Sequence, residues 1–140
     1  MKQIPVIFWT GTGNTQMMAD VIAEAINAAG AEAVVKNVSE ITADEAAGYD
    51  ALALGCPAMG AEVLEECEFE PFFTELEGKL AGKKVALFGS YGWGGSYMQD
   101  WEARVKDAGA ELVADGVLAL GAPDDEAEAK LAEAGKLLAE

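Results

Sequence analysis

The chain has 140 residues, room for one domain with a well-filled core, and its 25 acidic and 9 basic side chains give a net charge of −16. That charge repels nucleic acid and anionic membranes and favours basic patches on other proteins. The absence of histidine excludes Ser-His-Asp and Cys-His catalysis and most histidine-metal chemistry. No run of about 18 apolar residues occurs, and the N-terminus lacks the charged-then-apolar order of a leader. The expectation is a single soluble, cytoplasmic domain over residues 1–140, with Cys56 and Cys67 as core or partly buried thiols in a reducing compartment.

Ile4 to Trp9 is a near-continuous apolar run, as expected of a strand buried on both faces of a parallel sheet. Thr10-Gly11-Thr12-Gly13-Asn14-Thr15 follows, and Asn14 to Ala29 then places Met18, Val21, Ile22, Ala25, Ile26 and Ala29 on one helical face, with Gly30 as C-cap. A strand emptying into a glycine and hydroxyl loop that opens a helix aims several backbone N–H groups at one spot, where the helix dipole adds positive potential. That is an anion site. Between Lys2 and Lys36 there is no Lys or Arg, so neutral dipoles alone would hold the anion. The Walker A lysine is therefore missing, and Gln16 stands where a dinucleotide fingerprint needs its third glycine. The loop suits a phosphate monoester.

Ala33 to Val38 reads as a second strand and Ala51 to Gly55 as a third, with a short helix or turn between them. Cys56-Pro57-Ala58-Met59-Gly60-Ala61-Glu62 leaves the third strand as a loop. Glu65, Glu66, Glu68 and Glu70 read as a solvated acidic face, and a helix is expected from Pro71 to about Gly78. Val85 to Ser90 is a fourth strand entering the loop Tyr91-Gly92-Trp93-Gly94-Gly95. A helix from about Tyr97 to Ala108, with Trp101 in the core, a fifth strand from Leu112 to Leu120 and a last helix from Glu126 to Ala139 complete the chain.

Five strands alternating with helices define an α/β, doubly wound parallel sheet, expected in the order 2-1-3-4-5 with helices on both faces. The loops beginning at Thr10, Cys56 and Ser90 then converge on one crevice at the C-terminal edge. A neutral phosphate nest beside a methionine loop and a tryptophan loop suits a flat aromatic group with a phosphate tail. Trp93 can stack on one face and Met59 can lie on the other, which points to flavin mononucleotide, FMN. Gly60, lacking a Cβ, lets its peptide flip toward or away from a ligand.

Thr-Gly-Thr-Gly-Asn-Thr, Gly-Cys-Pro-Ala-Met-Gly and Gly-Ser-Tyr-Gly-Trp-Gly, in this order and spacing, closely resemble the short-chain flavodoxins of anaerobic bacteria. The likeness runs nearly end to end, through Glu68-Phe69-Glu70-Pro71-Phe72 and Gly82-Lys83-Lys84-Val85. It implies a low-potential one-electron carrier, shuttling between semiquinone and hydroquinone among redox partner proteins with basic docking patches, and working as a monomer. It also implies that Thr10, Gly11, Thr12, Gly13, Asn14 and Thr15 hold the FMN phosphate. Pro57, Ala58, Met59, Gly60, Ala61 and Glu62 would lie along one side of the ring, the Gly60 carbonyl meeting N5–H of the semiquinone and Glu62 lying near N3. Trp93 would flank the other face, backbone N–H groups around Gly92 to Gly94 would meet the pyrimidine carbonyl, Ser90 would be a further polar contact, and Tyr91 would belong to the same cofactor-binding loop. Ala61 stands where the family often has Asp, Asn or Ser, and the segment after Trp93 is one residue shorter than in the relatives. No side chain is expected to act as nucleophile or general base, and no metal is expected. Rival readings on the same topology are an FMN-dependent quinone or NAD(P)H reductase and a receiver-type signalling domain, the latter lacking its acidic cluster because Trp9 and Thr10 occupy that place.

Overall fold

The computed structural model describes residues 2–11, 13–57, 64, 65, 67–91 and 96–140. Strand β1 (Gln3–Phe8) pairs in parallel with β2 (Glu32–Asn37) on one side and β3 (Ala51–Gly55) on the other; β4 (Lys84–Tyr91) follows β3, and β5 (Glu111–Leu112) and β6 (Val117–Leu120) both pair with β4. The order is 2-1-3-4-5, as expected. Helices α1 (Asn14–Ala28), α2 (Ala43–Ala46), α3 (Phe69–Glu77) and α4 (Ser96–Asp107) lie in the crossovers, and α5 (Asp125–Ala139) follows the last strand.

Alternation along the inner strands sends side chains to two separate cores, which is why these strands read as unbroken apolar runs. Ile4, Val6 and Phe8 of β1, Ala51 and Ala53 of β3, and Ala86 and Phe88 of β4 face α1 and α5. Ile7, Leu52, Leu54, Val85 and Leu87 face the other way, against Phe69, Phe73 and Leu76 of α3 and Met98, Trp101 and Val105 of α4. Trp101 is in the core, packed edge-on against Phe69 and Phe73 at 5.5 and 5.9 Å between centroids. On the first face the small alanines let α1 approach closely, and α1 touches α5 as well as the sheet. Its buried side therefore includes Ala19 and Ala23, whereas Ala25 is half-buried and Ala29, expected on that face, is exposed.

Gly135 is where α5 comes nearest to α1: a Cβ there would stand 2.8 Å from the Ile22 carbonyl oxygen and 2.9 Å from the Ala25 Cβ. Gly135→Ala should therefore cost about 1 kcal/mol net in a urea melt, overpacking outweighing the gain in helix propensity.

Two expected boundaries are corrected. The fifth strand is not continuous from Leu112 to Leu120: Val85 faces Leu112 but Phe88 faces Val117, so residues 113–116 hold two more than the ladder can take. Gly116 ends this excursion just before β6, its N–H donating 2.7 Å to the Glu102 carboxylate and its Cα lying against Met98, where a Cβ would collide with the sulfur. Helix α3 begins at Phe69, two residues before Pro71, because a carboxylate upstream meets its first N–H groups. Pro71 then falls within the first turn, where its missing N–H costs nothing.

Candidate functional site

The register brings three strand ends to one level. Phe8 is opposite Gly55 and Gly55 is opposite Phe88, while the Trp9 N–H donates to the Gly55 carbonyl at 3.0 Å and the Cys56 N–H to the Phe88 carbonyl at 3.1 Å. The segments leaving β1, β3 and β4 thus share the C-terminal edge of the sheet, where β1 and β3 carry the chain in opposite directions across it. In doubly wound sheets this is where ligands bind.

After β1 the Thr10 hydroxyl accepts the Gly13 N–H at 2.9 Å, closing the loop on itself. Gly13 has φ 94° and ψ −10°, left-handed backbone that a side chain resists, and it is the N-cap of α1. Gly11 lies against the Trp9 ring, whose carbons a Cβ would meet at 3.1 and 3.3 Å. The Trp9 indole in turn donates to Glu68 at 3.2 Å.

The first helical hydrogen bond of α1 runs from the Met17 N–H to the Gly13 carbonyl at 3.0 Å. The N–H groups of Asn14, Thr15 and Gln16 precede it, no side chain among the described residues accepts from them, and the first turn holds no acid. Helix α5 is built the opposite way. Asp124 accepts the Ala127 N–H at 2.8 Å, and Asp125, Glu126 and Glu128 fill its first turn. The head of α1 is thus a set of converging neutral donors with no built-in counter-charge, the arrangement a phosphate monoester fits.

Thr15 is buried, and its hydroxyl meets the equally buried hydroxyl of Ser90 on β4 at 3.3 Å. Thr10, Gly11, Gly13, Asn14 and Thr15 therefore gather at one helix terminus, with Ser90 behind them. Pro57 and Tyr91 stand at the roots of the other two loops, Tyr91 lining a cavity of about 240 Å³ with Leu120, Asp124 and Lys130. Thr12, Ala58, Met59, Gly60, Ala61, Glu62, Gly92, Trp93 and Gly94 lie outside the described residues.

Residues to which the sequence assigned no part in the site anchor the rim. Glu65 is not part of a solvated face: it is 5 % exposed, and its carboxylate accepts the N–H groups of Cys67, Glu68 and Phe69 at 2.8, 2.7 and 2.9 Å. Burial pushes its pKa upward, but these three N–H groups outweigh burial and hold it below its ordinary value. Glu70 is also engaged, pairing at 2.8 Å with Arg104, which lies over the Phe73 ring. The Cys56 sulfur accepts the Glu65 N–H at 3.3 Å, and the Tyr97 hydroxyl donates to the Cys56 carbonyl at 2.8 Å. The segment between β3 and α3 is thereby pinned at both ends, on one side to the residue that follows the tryptophan loop by a few positions.

Burial raises the Cys56 thiol to about 12, whereas Cys67 is exposed and not the core or partly buried thiol expected. A thiol reagent at neutral pH should accordingly modify one cysteine quickly in the folded protein and two in urea; rapid loss of both would contradict the packing around Cys56.

Fold and site together define a doubly wound α/β protein with a set of uncharged donors at its topological switch point. The Flavodoxin family profile matches residues 6–135. The chain is 49% identical over 135 residues to a flavodoxin of Clostridium beijerinckii, covering 96% of this chain and 97% of that one. It is 47% identical over 116 residues to a flavodoxin of Megasphaera elsdenii, covering 82% and 85%. The solution structure of the two-electron reduced Megasphaera elsdenii flavodoxin superposes with a TM-score of 0.89 at 44% identity, covering 97% of this chain and 98% of that one. The chain belongs to the flavodoxin family, FMN-binding proteins that carry electrons between redox partners.

Proposed function

We propose that this chain binds one FMN by its phosphate at the head of α1 and works as a low-potential, monomeric one-electron carrier in the cytoplasm. The observation that carries this reading is the set of N–H groups on Asn14, Thr15 and Gln16 that have no acceptor among the described residues, at a helix terminus with no acid in its first turn. Thr10, Gly11, Thr12 and Gly13 complete the phosphate loop. Residues Pro57 to Glu62 and Tyr91 to Gly94 border the ring, with Met59 on one face and Trp93 on the other.

FMN supplies the electron-transfer chemistry; the side chains bind it, orient it and set its electrostatic surroundings. No nucleophile or general base is required. With a net charge of −16, carboxylates oppose negative charge on a reduced ring. At about 8 Å and an effective dielectric of about 20, one carboxylate contributes roughly 2 kcal/mol, about 90 mV for one electron, before salt screening. The same charge favours redox partners with basic docking faces.

No helix among the described residues is long and apolar enough to cross a membrane, and these residues form no cluster of metal-ligating side chains. An absorbance spectrum of the purified protein with an anaerobic reductive titration tests the reading. A flavin spectrum reduced in two separate one-electron stages at low potential is expected. A single two-electron stage, or rapid pyridine-nucleotide oxidation, would favour a reductase on this fold.

A further inference from the structure

Apart from the aromatic Trp101 and Tyr97, whose hydroxyl is committed to the Cys56 carbonyl, three polar side chains are buried among the described residues: Thr15, Glu65 and Ser90. Glu65 is committed to its three N–H donors, which leaves two hydroxyls that face each other across the sheet edge, 75 residues apart in sequence and 3.3 Å apart in space. Thr15 belongs to the first turn of α1 and Ser90 to the end of β4, so their contact passes over β3, which separates β1 from β4 in the sheet.

Each hydroxyl owns one proton, and only one of the two protons can lie between the oxygens. If Thr15 donates to Ser90, it has no proton left for a ligand. If Ser90 donates to Thr15, the Thr15 proton is free to join the N–H groups of Asn14, Thr15 and Gln16 at the head of the helix. A phosphate monoester dianion only accepts, so its presence selects the second arrangement, and a hydroxyl that is itself accepting becomes a better donor.

We propose that Ser90 is a positioning residue for the phosphate grip and not a contact of the flavin: it donates to the Thr15 oxygen and thereby holds the Thr15 hydroxyl as a donor to the phosphate. The proposal rests on FMN being the ligand and on its phosphate lying at the head of α1. It assigns Ser90 to the phosphate end of the cofactor, although in sequence it borders the loop that carries Trp93.

The test compares FMN with riboflavin, which has the same ring and no phosphate, by fluorescence-quenching titration of the apoprotein. Ser90→Ala should weaken FMN about fivefold, the usual worth of one such hydrogen bond, and leave riboflavin unchanged. Thr15→Val should weaken FMN more, and adding Ser90→Ala to Thr15→Val should cost nothing further, because Ser90 acts through Thr15. Equal weakening of FMN and riboflavin by Ser90→Ala, or losses that add in the double variant, would overturn the proposal. Should Ser90→Ala melt early as apoprotein, Ser90→Cys keeps the volume with a weak donor and must show the same FMN-only loss. A wild-type protein that does not prefer FMN over riboflavin would defeat the underlying reading. A wild-type preference that Ser90→Ala leaves intact would defeat this assignment alone.

Discussion

Asn14→Asp should weaken FMN binding by about 2–3 kcal/mol, roughly 30- to 150-fold, while leaving the apoprotein as stable as before or slightly more so. The opposed signs follow from one cause. A carboxylate in the first turn of α1, which now holds none, interacts favourably with the helix dipole and the N–H groups of that turn, worth about 0.5 kcal/mol of stability. The same charge about 5 Å from a phosphate repels it by about 3 kcal/mol per unit charge at an effective dielectric of about 20, reduced by salt. Titration of FMN at low and moderate ionic strength, beside urea melts of the apoprotein, checks both. Unchanged FMN affinity would place the phosphate elsewhere. The native helix gives up a stabilising acid at this terminus, whereas α5 has three in its first turn.

Glu65→Ala should destabilise the protein by about 3 kcal/mol, since it strands the N–H groups of Cys67, Glu68 and Phe69 at the start of α3. Glu65→Gln keeps one acceptor oxygen without the charge and should cost about half as much. The pH dependence has a definite sign. Because the folded-state pKa of Glu65 is depressed, its contribution is complete above the unfolded carboxylate value and is lost as pH falls through the folded value. The gap in urea midpoint between wild type and Glu65→Gln should therefore be full at neutral pH and shrink below about pH 4. A gap independent of pH would mean the charge contributes nothing. FMN affinity should fall as well, because Glu65 and Cys56 together hold the ends of the segment carrying Met59 and Gly60.

The sheet was legible because its inner strands are buried on both faces, so that β1, β3 and β4 appear as apolar runs bounded by glycine or polar residues. The glycine turn between β1 and α1 was legible for a related reason: Gly11 and Gly13 serve backbone geometry, and backbone geometry leaves its mark in composition. Tertiary partners leave no such mark. Nothing in the spacing of Glu65, Glu66, Glu68 and Glu70 distinguishes the carboxylate that turns inward to meet three N–H groups from those that reach Arg104 or Trp9. The signal that was available is positional, since an acid a few residues before an apolar helical run with Pro in its first turn is a capping candidate.

The break in the fifth strand was hidden in the same way. Val113, Ala114 and Asp115 do not interrupt the hydrophobic pattern enough to mark the excursion, and the excursion depends on Glu102 and Met98 from another element. Ser90 could be placed near a ligand from sequence, but its pairing with Thr15 required the fold.

The most direct measurement is the affinity of the apoprotein for FMN set against riboflavin under identical conditions. Two or more charge-assisted hydrogen bonds from the head of α1 to the phosphate, at about 1.5–3 kcal/mol each, predict that FMN binds at least about 100-fold more tightly. Equal affinities, or a preference for riboflavin, would contradict the claim that uncharged donors after β1 hold the cofactor by its phosphate.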